Sequence, residues 1–382
     1  MHCDPRFSRV REVFERHFAD GEELGAAFSV YLNGELVVDL WGGVADRHTG
    51  RPWQADTPAF AYSCTKAITA TVLHQLAERG LVSVSAPVAE VWPEFAAMGK
   101  GAITVEQLLT HSSGLPMVAE PVPVEEFEDQ AAIAARLAGQ APLWDPGSAH
   151  GYHALTYGFL VGEVIRRVTG KSVGELVAAE IAGPLSLELW VGAPDTVIAR
   201  TARLKAGERT QPGSPPEGRS DDRLAEVARA ALDPRSLMNR ALGNPGIHLL
   251  AGGANNPVIL RAGWPAAGVV TTARGLAGFY RALVAGELLS PRTLQDAVRP
   301  RVSGPDRVLF LDTAFGLGYM RPSTTFMMPS ATAFGHTGMG GSIGMGDVER
   351  GLAIGYVMNK MAGGVSGNLR GIRLVRAVYD AL

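Results

Sequence analysis

Ser63 and Lys66 are the residues of this 382-residue chain whose types and spacing first suggest chemistry. They lie in AYSCTKAITATVLHQLAERG, residues 61 to 80, and between Asp56 and Glu78 the only formally charged side chain is Lys66. On a helix, positions i and i+3 share a face, so the hydroxyl and the amine would stand side by side. Burial among apolar neighbours and the positive end of the helix dipole both push the lysine toward its uncharged form. A neutral amine beside a hydroxyl can take its proton, and the free N–H groups of a first helical turn can stabilise an oxyanion. The competing reading has Lys66 reaching out to solvent along its aliphatic stem and Ser63 serving only as a helix cap. Ser-x-x-Lys is too common by itself to decide between the two.

Two further stretches bear on the choice. WDPGSAHGYHALTYGFLVGEVIRRVTG, residues 144 to 170, presents Tyr152 after a Pro-Gly turn and just ahead of an amphipathic helix. FGHTGMGGSIGMGDVERGLAIGYVMN, residues 334 to 359, sets a threonine and a cluster of glycines where a strand edge could approach a ligand closely. With Ser63-x-x-Lys66, Tyr152 and His336-Thr337-Gly338 in that order, the chain resembles the serine β-lactamase and penicillin-binding-protein-like family, in particular its carboxylesterase branch. LLTHSSGLP (108 to 116) and AAGVVTTARGLAGFYRALVAG (266 to 286) also look like segments of that family.

The resemblance implies a serine hydrolase that cleaves carboxylic esters through an acyl-enzyme on Ser63, with Lys66 and Tyr152 as proton acceptor and relay. By motif position, the backbone N–H groups of Ser63 and Met339 would form the oxyanion hole, and His336, Thr337 and Gly338 would bind substrate, with a structural role for His336 as the alternative. It implies no cofactor and no metal. Two departures stand out. Ala154 occupies the third position of the family's Tyr-x-Asn motif, and His336 replaces the lysine of Lys-Thr-Gly, whose fixed charge helps hold a substrate carboxylate. Both weaken the case for β-lactam or D-Ala-D-Ala substrates and leave ester hydrolysis intact. Acyl transfer to an alcohol or amine, weak β-lactamase activity, and a catalytically silent acyl- or β-lactam-binding module are the alternatives.

Other residues invite rival readings. GGSIG, 340 to 344, satisfies Gly-x-Ser-x-Gly with Ser342 as nucleophile, but that motif needs a strand, a sharp turn and a helix, followed by an acid and a histidine. No histidine follows His336. His150 and His153 have no third ligand in view, so surface or supporting roles are favoured over metal binding. Tyr157 reads as core packing, and Cys64 as a small buried apolar residue pointing away from Ser63.

The elements that must position these groups follow from periodicity. Phe7, Val10, Val13, Phe14 and Phe18 recur at helical spacing, and residues 28 to 40 alternate around Asn33-Gly34 as a hairpin. Helical patterns follow over 64 to 79, 105 to 110 behind a capping box of Thr104 and Gln107, 125 to 138, 154 to 169 and 272 to 285. The turn formers and charges of 205 to 222 predict an exposed loop, and loops such as 117 to 124 and 205 to 265 are expected to wall the cleft. Strand character returns in GLAIGYVMNK, ahead of a closing helix from about 366 to 382. This predicts an α/β fold of the β-lactamase/transpeptidase-like kind. An antiparallel sheet is built from both termini (approximately 1 to 60 and 300 to 382) and flanked by helices, with a mostly helical lobe (61 to 299) inserted.

Composition narrows the function classes. A formal net charge of -3 supplies no basic field for nucleic acid or an anionic membrane, which leaves a small-molecule ester as the expected partner. Cys3 and Cys64 offer neither a disulfide framework nor a Cys-rich zinc site. With no apolar run resembling a signal peptide or a membrane span, a cytoplasmic location is expected. Oligomeric state has no signature.

Overall fold

Asn33 and Gly34 turn the chain back between the strands Gly25–Leu32 and Glu35–Asp46, with φ of 49° and 85°. Both values lie in the left-handed region that Asn and Gly tolerate best, which is why this pair makes the turn. In the computed structural model, which describes residues 1–206, 222–363 and 367–382, this hairpin forms one half of a seven-stranded antiparallel sheet. The other half comes from the far end of the chain. Leu352–Met358 pairs with Gly25–Leu32, Ile343–Asp347 pairs with Leu352–Met358, and Phe334–Thr337 closes that edge. The short strands His2–Cys3 and Arg51–Pro52 both pair with Glu35–Asp46.

Helices cover both faces of the sheet, so its central strands read as near-continuous apolar runs. Every residue of Leu352–Met358 is buried. Phe28, Val30, Ile354 and Tyr356 share a core with Phe14, Leu374 and Val378 from the helices Ser8–Ala19 and Leu369–Tyr379. Ala27, Ala353 and Val357 point the other way, into the core shared with Leu276 and Tyr280 of the helix Ala273–Val284.

The expected helices are present at Thr65–Glu78, Val105–Leu109, Gln130–Gly139, Thr156–Thr169 and Ala273–Val284. The capping box of Thr104 and Gln107 forms, with each residue satisfying the other's backbone N–H. The middle of the chain is not helical throughout. Leu189–Val191 and Ala59–Phe60 both pair with Val269–Thr271 in a small antiparallel sheet. Strands of two or three residues are too short to show a period, so only tertiary pairing reveals them. The predicted loop 205 to 222 lies, apart from its ends, outside the described residues. Among the described residues no helix is long and apolar enough to cross a membrane.

Candidate active site

A single 3-10 turn, Tyr62–Cys64, feeds the helix Thr65–Glu78, and every residue from Thr65 to Leu76 is buried. A helix that is apolar or hydroxyl-bearing all round belongs in a core, and this one packs against Thr156–Thr169. The turn is held from behind. Thr65 Oγ1 donates to the Tyr62 carbonyl at 2.5 Å and accepts from the Val269 N–H at 2.9 Å, and the Ala61 N–H donates to the Val269 carbonyl at 2.9 Å. Tyr62 sits at φ 45°, an uncommon conformation for an aromatic residue and one that the surrounding contacts must enforce. Ser63 is half-buried at the mouth of a cleft.

Lys66 is 0% exposed. Its Nζ lies 3.2 Å from Ser63 Oγ, 2.7 Å from the Ala154 carbonyl oxygen and 3.0 Å from the Ala266 carbonyl oxygen. No carboxylate accompanies it in these contacts, and burial holds the amine well below the ordinary lysine range. The aliphatic stem therefore does not carry the charge out to water. Ala154, whose side chain lacks the amide of the resembling motif, contributes its main-chain oxygen instead.

Tyr152 lies against the amine, with Lys66 Nζ 4.7 Å from its ring centre. Burial pushes its phenol well above the usual tyrosine range, while contact with the Ser63 hydroxyl pulls the other way. Its backbone is fixed by Asp306. Oδ1 of that carboxylate accepts from the N–H groups of Tyr152 (3.0 Å), Val308 (2.9 Å) and Leu309 (2.9 Å), and Oδ2 accepts from the Thr313 hydroxyl at 3.0 Å. His111, at φ 58°, takes the His153 N–H on Nδ1 at 3.0 Å and lays its ring 5.1 Å from that of Tyr152.

His150 and His153 are therefore not surface residues. His150 Nε2 meets Thr313 Oγ1 at 2.9 Å, and His153 Nε2 accepts from Ser113 Oγ (2.9 Å) and the Leu115 N–H (3.2 Å) while Nδ1 donates to the Gly151 carbonyl (2.6 Å). Both brace the turn that carries Tyr152. Asp306 had no local motif to announce it, whereas His111 lies inside the quoted segment LLTHSSGLP. Tyr157 is fully buried, as expected of a packing residue, and its hydroxyl donates to the Lys66 carbonyl at 3.3 Å.

The edge strand Phe334–Thr337 brings the third stretch to the same place. Gly338, just past the strand, passes so close to the Ser63 turn that a Cβ there would meet the Ala61 carbonyl oxygen at 2.4 Å. Gly338→Ala is expected to displace the turn, costing about 1 to 3 kcal/mol of stability by overpacking and at least about tenfold in kcat. Urea unfolding and ester turnover on the same preparation check this. Met339 lines the cleft with Ser63 and Tyr152, whereas His336 is only 2% exposed and its ring packs behind Tyr152. Ser342 is fully buried between two antiparallel strands, without the helix that an elbow requires. Cys64 is buried too, its thiol pushed up to about 12 by burial and set 3.4 Å from the His336 carbonyl.

The cleft measures 350 Å³, and its walls include Leu155, Leu204, Leu242, Ile247 and Met361. As expected, the region 205 to 265 supplies much of that wall. Residues 117 to 124 do not line it but brace it, since the Asn244 side chain accepts from the Val122 N–H and donates to the Val118 and Glu120 carbonyls.

Known proteins resemble this chain in sequence and fold. The Beta-lactamase family model matches residues 10–378. Esterase/beta-lactamase LipL of Mycobacterium tuberculosis is 37% identical over 373 residues, which span 94% of this chain and 82% of LipL. The crystal structure of a family VIII carboxylesterase superposes with a TM-score of 0.87 at 36% identity, covering 100% of this chain and 99% of that one. A penicillin-binding protein homolog from Caulobacter crescentus superposes with a TM-score of 0.86 at 38% identity, with the same coverage. With its antiparallel sheet, its flanking helices and a match over nearly its whole length, the chain belongs to the Beta-lactamase family.

Proposed function

We propose that this protein is a serine carboxylesterase that hydrolyses esters through an acyl-enzyme on Ser63, in a cleft between the sheet lobe (about 1 to 60 and 300 to 382) and the helical lobe (61 to 299). The observation that carries the reading is the fully buried Lys66 amine, 3.2 Å from Ser63 Oγ and with two carbonyls rather than a carboxylate as its other contacts. A neutral amine has two N–H bonds and one lone pair. In that neutral form, which burial favours, the Ala154 and Ala266 carbonyls take both hydrogens and the lone pair faces Ser63 Oγ at 3.2 Å, whereas an ammonium would donate to all three oxygens. Lys66 thus stands as general base toward the Ser63 hydroxyl.

In acylation the Ser63 O–H bond breaks, its proton passes to Lys66 Nζ, and Oγ bonds to the ester carbonyl carbon. The backbone N–H groups of Ser63 and Met339 are placed by motif position to receive the oxyanion, typically about 3 to 4 kcal/mol per donor. Tyr152, kept protonated by burial, gives its proton to the departing alkoxide and recovers one from the Lys66 ammonium. Water, activated along the same path, releases the acid. The mostly apolar cleft wall suits uncharged acyl groups, while Thr337, buried with its hydroxyl 3.6 Å from Met320 Sδ, and Gly338 lie behind Met339 rather than in that wall.

Turnover of p-nitrophenyl acetate and butyrate, with peptide mapping after a fluorophosphonate, tests the reading. Sustained turnover and a label on Ser63 are expected, with Ser63→Ala unlabelled and Ser342→Ala labelled as the wild type is. A single stoichiometric burst would mark a binding module instead. A label on Ser342, or none, would end the assignment. Adding acceptor alcohols separates hydrolysis from acyl transfer, and a chromogenic cephalosporin measures any β-lactamase activity.

A further inference from the structure

His336 holds an acceptor that nothing in the resting site uses. Its Nδ1 lies 2.7 Å from the Thr337 carbonyl oxygen, and a carbonyl can only accept, so Nδ1 carries the proton. Burial keeps the ring uncharged, down to about 3. The other nitrogen, Nε2, is therefore a bare lone pair. It is sealed from solvent and has no hydrogen-bond partner among the described residues. Buried acceptors of this kind are uncommon, and one beside reacting groups calls for a donor.

The neighbours narrow the choice of donor. Lys66 spends its hydrogens on the Ala154 and Ala266 carbonyls. The Cys64 thiol addresses the His336 carbonyl rather than the ring, and Tyr280, whose hydroxyl has no hydrogen-bond partner among the described residues, packs its ring on Phe279 and Phe334 rather than on His336. His111 faces Tyr152, Tyr157 and Phe315 with its ring. Tyr152 is the hydroxyl-bearing ring stacked beside His336, with ring centres 6.0 Å apart and planes tilted by 34°. Hydrogen bonds of this type are often open in an empty site and tighten when substrate fills it.

We propose that Nε2 of His336 accepts the phenol hydrogen of Tyr152 during the catalytic cycle, making His336 a positioning residue that keeps Tyr152 a proton donor. The inference rests on the esterase reading above and deepens it. A lysine at this position would point N–H bonds at the phenol oxygen and favour phenolate, a base. An imidazole lone pair does the reverse and favours phenol, an acid. The proton of Ser63 then has one destination, Lys66. The Tyr152 O–H bond breaks only when the alkoxide leaves, and the Lys66 ammonium restores it. His336 neither gains nor loses a proton, so every proton is accounted for.

Three variants test this on p-nitrophenyl butyrate between pH 5 and 10, each with fluorophosphonate labelling. His336→Gln keeps an acceptor near the Nε2 position, and kcat should stay within about fivefold of wild type. His336→Leu removes it, and kcat should fall about 10- to 100-fold with KM within about twofold, in the lower range of acid–base effects. His336→Lys should move the alkaline limb of the kcat profile to lower pH. The groups facing Tyr152 that could also shape that limb are Ser63, Lys66, Cys64, His111, Tyr157 and Asp306, and all are unchanged in the three variants. Equal losses in the Gln and Leu variants, a loss confined to KM, or an unmoved alkaline limb in His336→Lys would each overturn the inference. Should His336→Leu fail to fold, the Gln and Lys variants still decide. Wild-type labelling on Ser63 together with any of those results defeats this inference alone, whereas absence of wild-type labelling defeats the esterase reading.

Discussion

Lys66→Met is expected to lower kcat on p-nitrophenyl esters by about 10³- to 10⁴-fold, the upper range for loss of a general base, while KM changes little. The same substitution should alter how stability depends on pH. In the folded protein, burial leaves the amine well below its unfolded value, and a lysine in the unfolded chain titrates near about 10.4. Below that pH the unfolded chain takes up a proton that the folded protein refuses. The lysine therefore costs the native state progressively more as pH falls, until the depressed folded value is reached. Methionine has no such penalty, although it leaves the Ala154 and Ala266 carbonyls without their donor. The stability of Lys66→Met relative to wild type should rise as pH falls from about 10 through neutrality, by up to about 1.4 kcal/mol per unit. Urea midpoints at several pH values measure this, and parallel curves for the two proteins would show that the lysine is charged in the fold. Activity of the wild type should likewise vanish on the acid side as Lys66 becomes protonated.

The second large effect belongs to a residue outside the cleft. Asp306→Ala is expected to destabilise the protein by about 3 kcal/mol, because three backbone N–H groups and the Thr313 hydroxyl lose a buried charged acceptor. One of those N–H groups belongs to Tyr152, so kcat should fall about 10- to 100-fold even where the variant is fully folded. Asp306→Asn retains the Oδ1 acceptor and should recover most of the activity while restoring only part of the stability. A stability loss with unchanged kcat would show that the tyrosine is held by its ring contacts alone, those to His111 and Phe315.

The main elements and the contact of Lys66 with Ser63 were legible because both are written in local periodicity and spacing. Phe7 to Phe18, the Asn33-Gly34 turn and the Ser63-x-x-Lys66 interval each constrain residues no more than a few turns apart, and local sterics suffice to interpret them. The small middle sheet was not legible. Its strands are two or three residues long and take their meaning from partners far along the chain, as in the pairing of Ala59 with Thr271. For His150 and His153 the sequence allowed a surface or a supporting role, and the structure shows the supporting one. Nothing next to them in sequence shows that Ser113 and Thr313 converge on their rings.

The sequence by itself determined the fold class, the order of the motifs and the conjunction of a serine with a lysine one turn later. Only the tertiary structure decided which form that lysine takes. Its charge state depends on two carbonyls, Ala154 and Ala266, contributed from 88 and 200 residues away, and on the exclusion of water by a fully buried helix. The same holds for His336, whose tautomer is set by its own strand but whose role depends on the ring that folding lays beside it. Spacing along a chain places groups on a common face, whereas proton affinity is set by everything that surrounds them in three dimensions.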